Sequence, residues 1–540
     1  MQGEPVHWWQ TRVFVAALAL AACIPLLWPD IPPLVDLPGH MGRYRVELAM
    51  ASHPELAQWY DFRWSLIGNL GIDLLILPLA PVFGLELAVK LIVIAIPVLT
   101  VAGLLWIARE VHGRIPATAL FALPLAYSYP FQFGFVNYAL SMAIALNLFA
   151  LWLRLARLGR LELRAILFVP LSCALWVCHT FGWGVLGVLA FSAEMIRQHD
   201  RLKEGHNGHW LESWVRAGLG CLPLALPLVF MVLWRSGDHV TGQTGDWFNW
   251  DAKLAWVEMV LRDRWQTFDL LSVLVLFAIL VVGLADRRVE YSRHLALSAA
   301  FLATVFVLLP RIVFGSAYAD MRLAPFVFAI ALIAIRPRPG LSLRSAALYA
   351  ALGLAFFAVR LAGTTASYWL YDRSYDRALT ALDHIPPGAR VVSFVGRRCL
   401  DDWAYTRLEH VPALLLERKL AFSNDQWSMA GAQQLTTRYL AAKGFAHDPS
   451  QIVTQVKCRG EWWRPVDRAL ARFPRDAFDY VWMLDPPRYD PQLVAGLTPI
   501  WRDGANILFR VDDRRQPEPV EPPMPPQFTT PLSKPPHPPA

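Results

Sequence analysis

The chain has 540 residues, of which 55% are hydrophobic and only 17% are charged, whereas an ordinary soluble domain has roughly 45–50% apolar and about 25% charged residues. This excess excludes a purely soluble protein, because a soluble core cannot bury so many apolar side chains. The formal net charge of +7 does not indicate nucleic-acid binding, since Lys and Arg cluster at the ends of apolar runs, where basic residues set membrane topology.

Apolar runs recur along the first two thirds of the chain. Runs of roughly 17–25 apolar residues are long enough to cross a ~30 Å hydrocarbon layer as helices. We expect about eleven transmembrane helices, at residues 12–29, 86–108, 116–131, 134–153, 165–179, 182–196, 216–234, 268–285, 294–310, 323–335 and 345–367. The first run is followed by Trp28, Pro29 and Asp30 instead of a small-residue cleavage site, so it is interpreted as a retained helix and not as a signal peptide.

The distribution of basic residues predicts the orientation. Sixteen Lys and Arg lie in five segments, against nine in the longer loops between them; the five segments are 109–114, 154–164, 197–216, 287–293 and 336–344. The basic set should be cytoplasmic. The loop at 30–85, the loop at 235–267 and everything after residue 370 then face outward, and the odd helix count agrees with this placement.

The chain changes character after residue 370. Residues 371–515 carry more charge, with β-rich runs at 391–395, 480–484 and 507–511 and helical stretches such as 430–442. The tail at 516–540 is crowded with proline and is predicted to be disordered. The expected fold class is an α-helical polytopic membrane protein, with a transmembrane domain at 1–370 and a small, periplasmic α/β domain at 371–515.

The cysteines predict one disulfide and no metal site. Six cysteines are present, and none shows close metal-ligand spacing. Only Cys399 and Cys458 lie outside the apolar runs, in the domain that the orientation places on the oxidising side, so we expect a bridge between them. Two independent buried thiols remain the alternative.

The first outward loop contains the strongest candidate for chemistry. Asp36 and His40 are four residues apart, so they can face one pocket if the segment after Pro38 is helical. Alternatively, Asp36 only caps that helix and His40 is solvated.

Residues 1–370 resemble the plan of bacterial GT-C type glycosyltransferases, which take sugars from polyprenyl-phosphate carriers. The likeness lies in the multi-spanning body, in the long first outward loop with Asp36 and interfacial tryptophans, and in the short hairpin at 165–196. The resemblance implies that Asp36 is the general base on an acceptor hydroxyl and that His40 positions it or touches the donor phosphate. The loop lacks the paired acidic residues of many relatives, so no metal or other cofactor is indicated.

Two arginines and a histidine are further candidates by location. A cation near membrane depth usually faces a polar cavity, so Arg311 and Arg322 are candidates for binding a lipid phosphate or pyrophosphate. Arg322 could instead pair with Asp320 or extend to the headgroups. His179 lies at the outward tip of the short hairpin, where a hydrogen bond to a neighbouring helix is the alternative to substrate binding.

Two polar residues in apolar surroundings complete the substrate-binding set. Asn137 lies in a cluster of aromatic residues that forms either an interfacial belt or the lining of a sugar or prenyl groove. Asp73 lies inside an apolar stretch, which makes it a functional candidate, although a helix cap explains it too.

The sequence favours a membrane glycosyltransferase that moves a sugar from a polyprenyl-phosphate donor to a lipid, glycan or protein acceptor on the outer side of a bacterial inner membrane. A transporter or flippase of lipid-linked sugars and a non-catalytic assembly protein are the alternatives. Transporters more often carry internal repeats and broken helices at mid-membrane, whereas the polar candidates here gather at the outward ends. Because residues 371–515 contain no nucleotide-binding or hydrolase motif, that domain is expected to recognise the acceptor or to cover the outward cavity.

Overall fold

The computed structural model describes residues 6–204, 210–236, 244–399, 402–428, 433–516 and 518. Most of them are helical, and a six-stranded sheet lies near the C-terminus. The predicted proline-rich tail lies outside the described residues except for residues 516 and 518.

The α-helices follow one another along the whole chain. The first nine are α1 (Arg12–Ala21), α2 (Ile24–Leu27), α3 (Leu37–Ala49), α4 (Gly71–Phe83), α5 (Leu85–His112), α6 (Tyr129–Gln132), α7 (Val136–Arg157), α8 (Leu161–Cys178) and α9 (Thr180–Glu204). The others are α10 (Trp210–Gly220), α11 (Pro227–Ser236), α12 (Trp250–Glu258), α13 (Gln266–Ala285), α14 (Arg293–Leu308), α15 (Ala324–Ile333), α16 (Leu343–Leu379), α17 (Leu414–Lys419) and α18 (Val466–Arg472).

The strands of the described ranges are short and fall into three sheets. Two-stranded sheets are formed by β1 (Tyr60–Phe62) with β5 (Leu435–Thr437), and by β2 (Val289–Tyr291) with β3 (Ile335–Pro337). The six-stranded sheet contains β4 (Val391–Gly396), β6 (Ile452–Thr454), β7 (Arg464–Pro465), β8 (Tyr480–Leu484), β9 (Leu497–Asp503) and β10 (Asn506–Val511).

Five of the described helices are long and apolar enough to cross a membrane: α5, α7, α8, α13 and α16. A sixth span results if α10 and the segment Leu222–Leu233, which meet at a bend of 45°, are counted as one. The prediction of about eleven spans is therefore wrong for the part of the chain that the structure describes. The coarser prediction, a mostly helical protein with membrane-spanning helices and a small C-terminal sheet, agrees with the structure.

Two predicted spans are core segments of the folded protein, and a third is broken. Ala117–Tyr127 is a 3₁₀ helix in which every residue is buried, and α15 has only 10 residues. The run at 12–29 breaks between α1 and α2, where Pro25 occupies the first turn of α2. Because short apolar segments are more often buried core than spans, the composition of Ala117–Tyr127 and of α15 reflects packing inside the protein.

The basic segments of the body meet at one end of the helices. A salt bridge of 2.8 Å joins the last turns of α5 and α7, and Arg293 binds Asp200 at 3.1 Å. Strands β2 and β3 pair antiparallel, and the His112 ring nitrogen lies 2.8 Å from the carbonyl of Ile333. These contacts place the five segments together, as the sequence predicted, whereas the side of the membrane that they face stays a prediction.

The six-stranded sheet has the order β7-β6-β4-β8-β10-β9. Strands β7, β6, β4 and β8 are parallel, and the β9–β10 hairpin adds antiparallel to β8. The three predicted β-rich runs are confirmed as β4, β8 and β10. The helix predicted at 430–442 is wrong where the chain is described, because β5 and the 3₁₀ helix Leu440–Phe445 occupy that stretch.

The first loop packs directly against the C-terminal part. Strand β1 pairs with β5, which places Tyr60 opposite Thr437, and Trp59 shares a buried core with Phe422. The loop at 30–85 and the domain after 370 therefore lie on the same side of the body, as predicted. Helix α16 continues without a break across residue 370, so no flexible linker separates that domain from the body at the predicted boundary.

The predicted disulfide is present. Cys399 and Cys458 are bonded, with their Cα atoms 5.2 Å apart. The bridge connects the chain just after β4 to the segment between β6 and β7. It therefore links two loops that follow the carboxyl ends of neighbouring strands.

Candidate active site at the start of helix α3

Asp36 directly precedes α3, and its backbone is held on both sides. Its N–H donates to the carbonyl of Phe133 at 3.0 Å, and its carbonyl accepts from the N–H of His40 at 3.1 Å. Gly134 packs so closely, with φ of +97°, that an added Cβ would lie 2.6 Å from the Asp36 nitrogen. The carboxyl makes no hydrogen bond to the helix start, and 13% of the side chain is exposed. The capping alternative is therefore wrong.

The imidazole of His410 lies between two carboxyl groups. Its Nε2 is 3.9 Å from Asp36 Oδ1, and its Nδ1 is 3.9 Å from Asp425 Oδ2. Both separations exceed a hydrogen bond, and neither His410 Nδ1 nor Asp425 Oδ2 has a hydrogen-bond partner within the described ranges. The hydroxyl of Ser423 donates to the other Asp425 oxygen at 2.7 Å. This carboxyl–imidazole row of Asp36, His410 and Asp425 joins the first loop to the C-terminal part.

Burial raises the pKa of the Asp36 carboxyl well above its usual value, because the charged form loses its hydration. Two nearby carboxylates, Glu409 and Asp448, raise this pKa further, and two cations, Arg322 and Arg397, lower it. The raised pKa means that the Asp36 carboxylate binds a proton more readily than an ordinary surface aspartate does, which is the direction of shift that a general base uses.

The other two members of the row are also shifted by burial. Burial lowers the pKa of His410 to about 3, so its ring is neutral at physiological pH and has one donor and one acceptor nitrogen. Burial raises the pKa of Asp425 to about 7, although the hydrogen bond from Ser423 opposes it. The row can therefore hold a proton near neutral pH without creating a buried imidazolium.

His40 lies one turn into α3 and is enclosed by aromatic rings. Its ring centroid is 5.0 Å from that of Trp427 and 6.2 Å from that of Tyr44. Trp427 crosses the helix at Gly39, where an added Cβ would lie 2.6 Å from the indole. Burial lowers the pKa of His40 well below its usual value, and the nearby Arg43 lowers it further. The alternative in which His40 is solvated is therefore wrong.

Arg322 is a buried cation that acts electrostatically on Asp36. Its guanidinium carbon lies 4.4 Å from the ring centroid of Phe135 and 5.4 Å from that of Phe181, and its amino groups reach Ser316 Oγ at 3.4 Å. Burial lowers the pKa of Arg322 to about 10, and Asp36 opposes this shift. Within the described part of the chain, no carboxylate lies within ion-pair distance of Arg322.

The alternative partner of Arg322 is already occupied. Asp320 accepts from Lys253 at 3.2 Å and from the indole of Trp256 at 3.0 Å. The alternative in which Arg322 pairs with Asp320 is therefore wrong, and the burial of Arg322 also contradicts extension to the headgroups.

A second cation near Asp36 comes from the sheet. Arg397 follows β4, and its Nη1 binds Glu409 Oε1 at 2.5 Å. Its guanidinium carbon lies 4.4 Å from the ring centroid of Trp463. Asp36 is therefore subject to one arginine from the helical body and one from the C-terminal domain.

Asp73 and Asn137 belong to a buried polar cluster with Arg43. The guanidinium of Arg43 binds both oxygens of Asp73, and the Asn137 amide donates to Asp73 Oδ2 at 3.1 Å and to the carbonyl of Asn69 at 2.9 Å. The Asn137 oxygen accepts from the N–H of Ile72 at 2.7 Å. These groups bind one another, which gives the cluster a structural role, and their expected role in substrate binding stays a prediction.

His179 lies beside Arg322. Its Nδ1 accepts from the N–H of Phe181 at 3.1 Å, and its ring centroid is 5.8 Å from that of Tyr138. The Tyr138 hydroxyl in turn donates to the Arg322 carbonyl. Arg322 therefore interacts electrostatically with both His179 and Asp36, whereas a shared role in substrate binding stays a prediction.

Arg311 occupies a different environment. It binds Asp246 at 3.2 Å, and its side chain is 26% exposed. Its guanidinium carbon lies 5.2 Å from the ring centroid of Tyr318. None of its described contacts reaches Asp36, so we leave it out of the candidate site.

Sequence reasoning missed the contribution of the C-terminal domain. The three residues that it supplies, His410, Asp425 and Arg397, belong to no recognisable motif. A usable signal was the polar runs Glu409-His410 and Ser423 to Trp427, each between apolar segments, because polar side chains are costly to bury unless they bind or react.

Comparisons with known proteins return no match: no family model, no curated protein and no solved structure is detectably similar to this chain. Among the residues that the structure describes, no three His, Cys, Asp or Glu side chains are grouped so that they could hold a metal ion. The functional argument therefore depends on the arrangement around Asp36.

Proposed function

We propose that the protein is a membrane glycosyltransferase that moves a sugar from a polyprenyl-phosphate donor to an acceptor hydroxyl. The observation that carries this proposal is the Asp36 carboxyl, which is largely enclosed, does not cap the helix and lies 3.9 Å from His410. The resemblance of the chain to the GT-C plan, with an acidic residue in the first outward loop, supports the same assignment.

The proposed reaction displaces a phosphate group by an oxygen nucleophile. The acceptor hydroxyl attacks the anomeric carbon of the sugar while Asp36 takes the hydroxyl proton. The bond from the anomeric carbon to the phosphate oxygen breaks, and polyprenyl phosphate leaves with one more negative charge. The proton on Asp36 is then released to solvent, which the partly exposed carboxyl can reach.

The charge that develops on the leaving phosphate needs cations. Arg322 supplies a buried guanidinium without a carboxylate at ion-pair distance among the described residues, and Arg397 supplies a second one. Guanidinium groups bind phosphate oxygens in a bidentate manner.

The membrane assignment sets the cellular context of the proposal. The polar candidates gather at the end of the body opposite the basic segments, which are expected to be cytoplasmic. We place the reaction on the outer side of a bacterial inner membrane, with the C-terminal domain in the periplasm and a lipid, glycan or protein as acceptor.

The proposal is tested with purified protein in proteoliposomes. A panel of synthetic polyprenyl-phosphate sugars is supplied, and the release of polyprenyl phosphate is measured. Asp36→Asn keeps the shape of the side chain and removes the base, so we expect the rate to fall by about 10²–10⁴-fold. Glu55→Gln, which changes an exposed carboxylate of the same loop, is the matched control and should keep the wild-type rate.

Two results would contradict the proposal. A folded Asp36→Asn variant with the wild-type rate would remove Asp36 as the base. Movement of the intact lipid-linked sugar between leaflets, without release of polyprenyl phosphate, would instead establish the alternative of a transporter.

A further inference from the structure

We propose that the protein has a second binding site, for a phosphate-bearing ligand, in a cleft between α16 and the C-terminal sheet. The cleft has a volume of about 590 Å³, which is within the range of roughly 300–1,000 Å³ typical of ligand sites. We call it the arginine cleft, because Arg264, Arg373 and Arg377 line it. None of the residues proposed above for sugar transfer lines it, so this inference is independent of the proposed function.

The position of the cleft in the sheet points to ligand binding. After β4, the chain adds β6 and then β7 on one side of β4 and returns to add β8 on its other side. The direction in which strands are added therefore reverses between β4 and β8. In open parallel sheets, ligands bind beyond the carboxyl ends of the strands at such a reversal. Asp485, the residue that directly follows β8, lines the cleft.

The backbone at this edge is unusually constrained. Asp485 has φ of +42°, a conformation that non-glycine residues adopt at a cost and that clusters at binding sites. Its N–H donates to the side chain of Asn506 at 2.9 Å, and Asn506 also lines the cleft. Asp485 also approaches β4 so closely that a Cβ on Gly396 would lie 1.8 Å from the Asp485 carbonyl oxygen.

The charges of the cleft favour an anion. Arg264 lies with its guanidinium carbon 4.6 Å from the ring centroid of Tyr371, and Arg373 lies 5.0 Å from that of Trp369. Neither arginine has an ion-pair partner in the described part of the chain, and Arg377 lies only at the limit of one, 3.9 Å from Asp503. Three arginines against the two lining carboxylates, Asp485 and Asp503, leave the cleft with an excess of positive charge. Guanidinium groups bind phosphate through their planar fork.

The cleft lies at the level where the helical body meets the sheet. Arg264 comes two residues before α13, a candidate membrane span, and Leu370 lies in the second half of α16. A phosphate at this level can belong to a phospholipid headgroup that enters from the membrane or to a free phosphate ester that enters from solvent. Both sources share the chemistry that the arginines recognise.

Binding to the full-length protein in detergent micelles tests the proposal and separates the two sources. The probes are dioctanoyl phosphatidate, dioctanoyl glycerol and glycerol phosphate, and the dissociation constant of each is measured by titration. Binding of phosphatidate alone indicates a lipid headgroup, and binding of glycerol phosphate as well indicates a free phosphate ester. Binding of dioctanoyl glycerol as tightly as phosphatidate would overturn the proposal, because the phosphate would then contribute nothing.

Three variants test whether the phosphate probe binds in the arginine cleft. Arg264→Gln combined with Arg373→Gln should weaken phosphate binding at least tenfold, since hydrogen bonds to a charged group contribute that much. Ser374→Trp, which fills the cleft without removing a charge, should weaken binding of the same probe to a similar degree. Arg502→Gln changes an exposed arginine of β9 that does not line the cleft and should leave the dissociation constant unchanged.

Two results would overturn the proposal. Unchanged affinity in both cleft variants, with a wild-type melting temperature to show that they are folded, would overturn it. Failure of every phosphate probe to bind the wild-type protein would overturn it as well.

Discussion

At the scale of single residues, the carboxyl of Asp36 is unusual because it precedes a helix and does not cap it. An aspartate immediately before a helix normally accepts a hydrogen bond from the first turn, but here the backbone of Asp36 is held by Phe133 and Gly134 and its side chain is directed to His410. The residue is therefore positioned by its main chain, and its side chain is available for chemistry.

Arg322 offers the sharpest test of donor binding. Arg322→Lys keeps the positive charge but loses the planar fork, so we expect the KM for the donor to rise about tenfold with a smaller effect on kcat. Arg311→Lys is the control, because Arg311 is partly exposed and bound to Asp246. If the KM for the donor is equal in the two variants, Arg322 does not bind the donor and its role is structural.

Asp425 predicts a specific dependence of stability on pH. Burial raises its pKa to about 7 in the folded protein, whereas an unfolded aspartate titrates near 3.9. Its favourable contribution is therefore complete below about pH 4 and is lost as pH rises to about 7. Other carboxyl groups titrate in the same range, so the comparison with a neutral variant isolates this one.

Asp425→Asn should remove this loss of stability. The melting temperature of the variant minus that of the wild-type protein is expected to increase by several degrees between pH 4 and pH 7 and then to level off. Parallel curves for the two proteins across this range would show that Asp425 is ionised in the fold. His410 and Asp448, which face Asp425, are unchanged in this comparison.

Sequence reasoning identified the half of the candidate site that the first loop and the body supply. Asp36, His40 and Arg322 stood out because polar residues at the ends of apolar runs are rare. His410 and Asp425 were missed because a soluble domain contains many polar residues, and only the three-dimensional packing of α3 against them shows which are buried.

At the scale of elements, a buried ion-pair network fastens the helical body to the C-terminal domain. Arg360 of α16 binds Asp269 of α13 at 2.6 Å, and Arg407 binds Asp263 at 2.7 Å. Arg407 also donates to the carbonyl of Pro33, at 2.5 Å, in the first loop. The network therefore connects two candidate spans, the loop that carries Asp36 and the segment that precedes His410.

Breaking this network should destabilise the protein. Arg407→Met leaves Asp263 buried without its partner, and loss of one member of a buried pair typically costs about 3–5 kcal/mol. The melting temperature in detergent should therefore fall clearly, and the second change Asp263→Asn should restore part of it. Arg398→Met, which breaks an exposed pair with Asp402, is the control and should change stability by no more than about 1 kcal/mol.

The sequence predicted strands better than membrane spans. The β-rich runs that became β4, β8 and β10 were recognisable because they are short and bounded by turn residues. The span count failed because apolar composition does not distinguish a helix that faces lipid from a segment such as Ala117–Tyr127, which is buried inside the protein. The helix expected at 430–442 failed because pairing with β1 made its middle a strand.

At the scale of the whole molecule, the orientation in the membrane is the central expectation. The odd number of predicted spans no longer supports this orientation, since the count of eleven is wrong. However, the basic segments meet at one end of the helical body, and the first loop meets the C-terminal sheet at the opposite end. The charge asymmetry alone therefore predicts that the C-terminal domain faces outward.

Labelling from one side of the membrane tests this orientation. Gln492→Cys, on an exposed turn of the C-terminal domain, should react with an impermeant maleimide on intact cells. Arg160→Cys, on the exposed turn between α7 and α8, should react only after the cells are broken open. The reverse pattern would place Asp36 on the cytoplasmic side.

Helix α16 gives the molecule a fixed height. It runs for 37 residues, which corresponds to roughly 55 Å at 1.5 Å per residue, while the hydrocarbon layer is only about 30 Å thick. The remaining turns of α16 extend beyond this layer and support the C-terminal sheet at a distance from the bilayer. The first loop packs on the C-terminal domain and is held at the same distance. For the proposed sugar transfer, we therefore expect the lipid-borne donor to extend from the bilayer up to the height of Asp36.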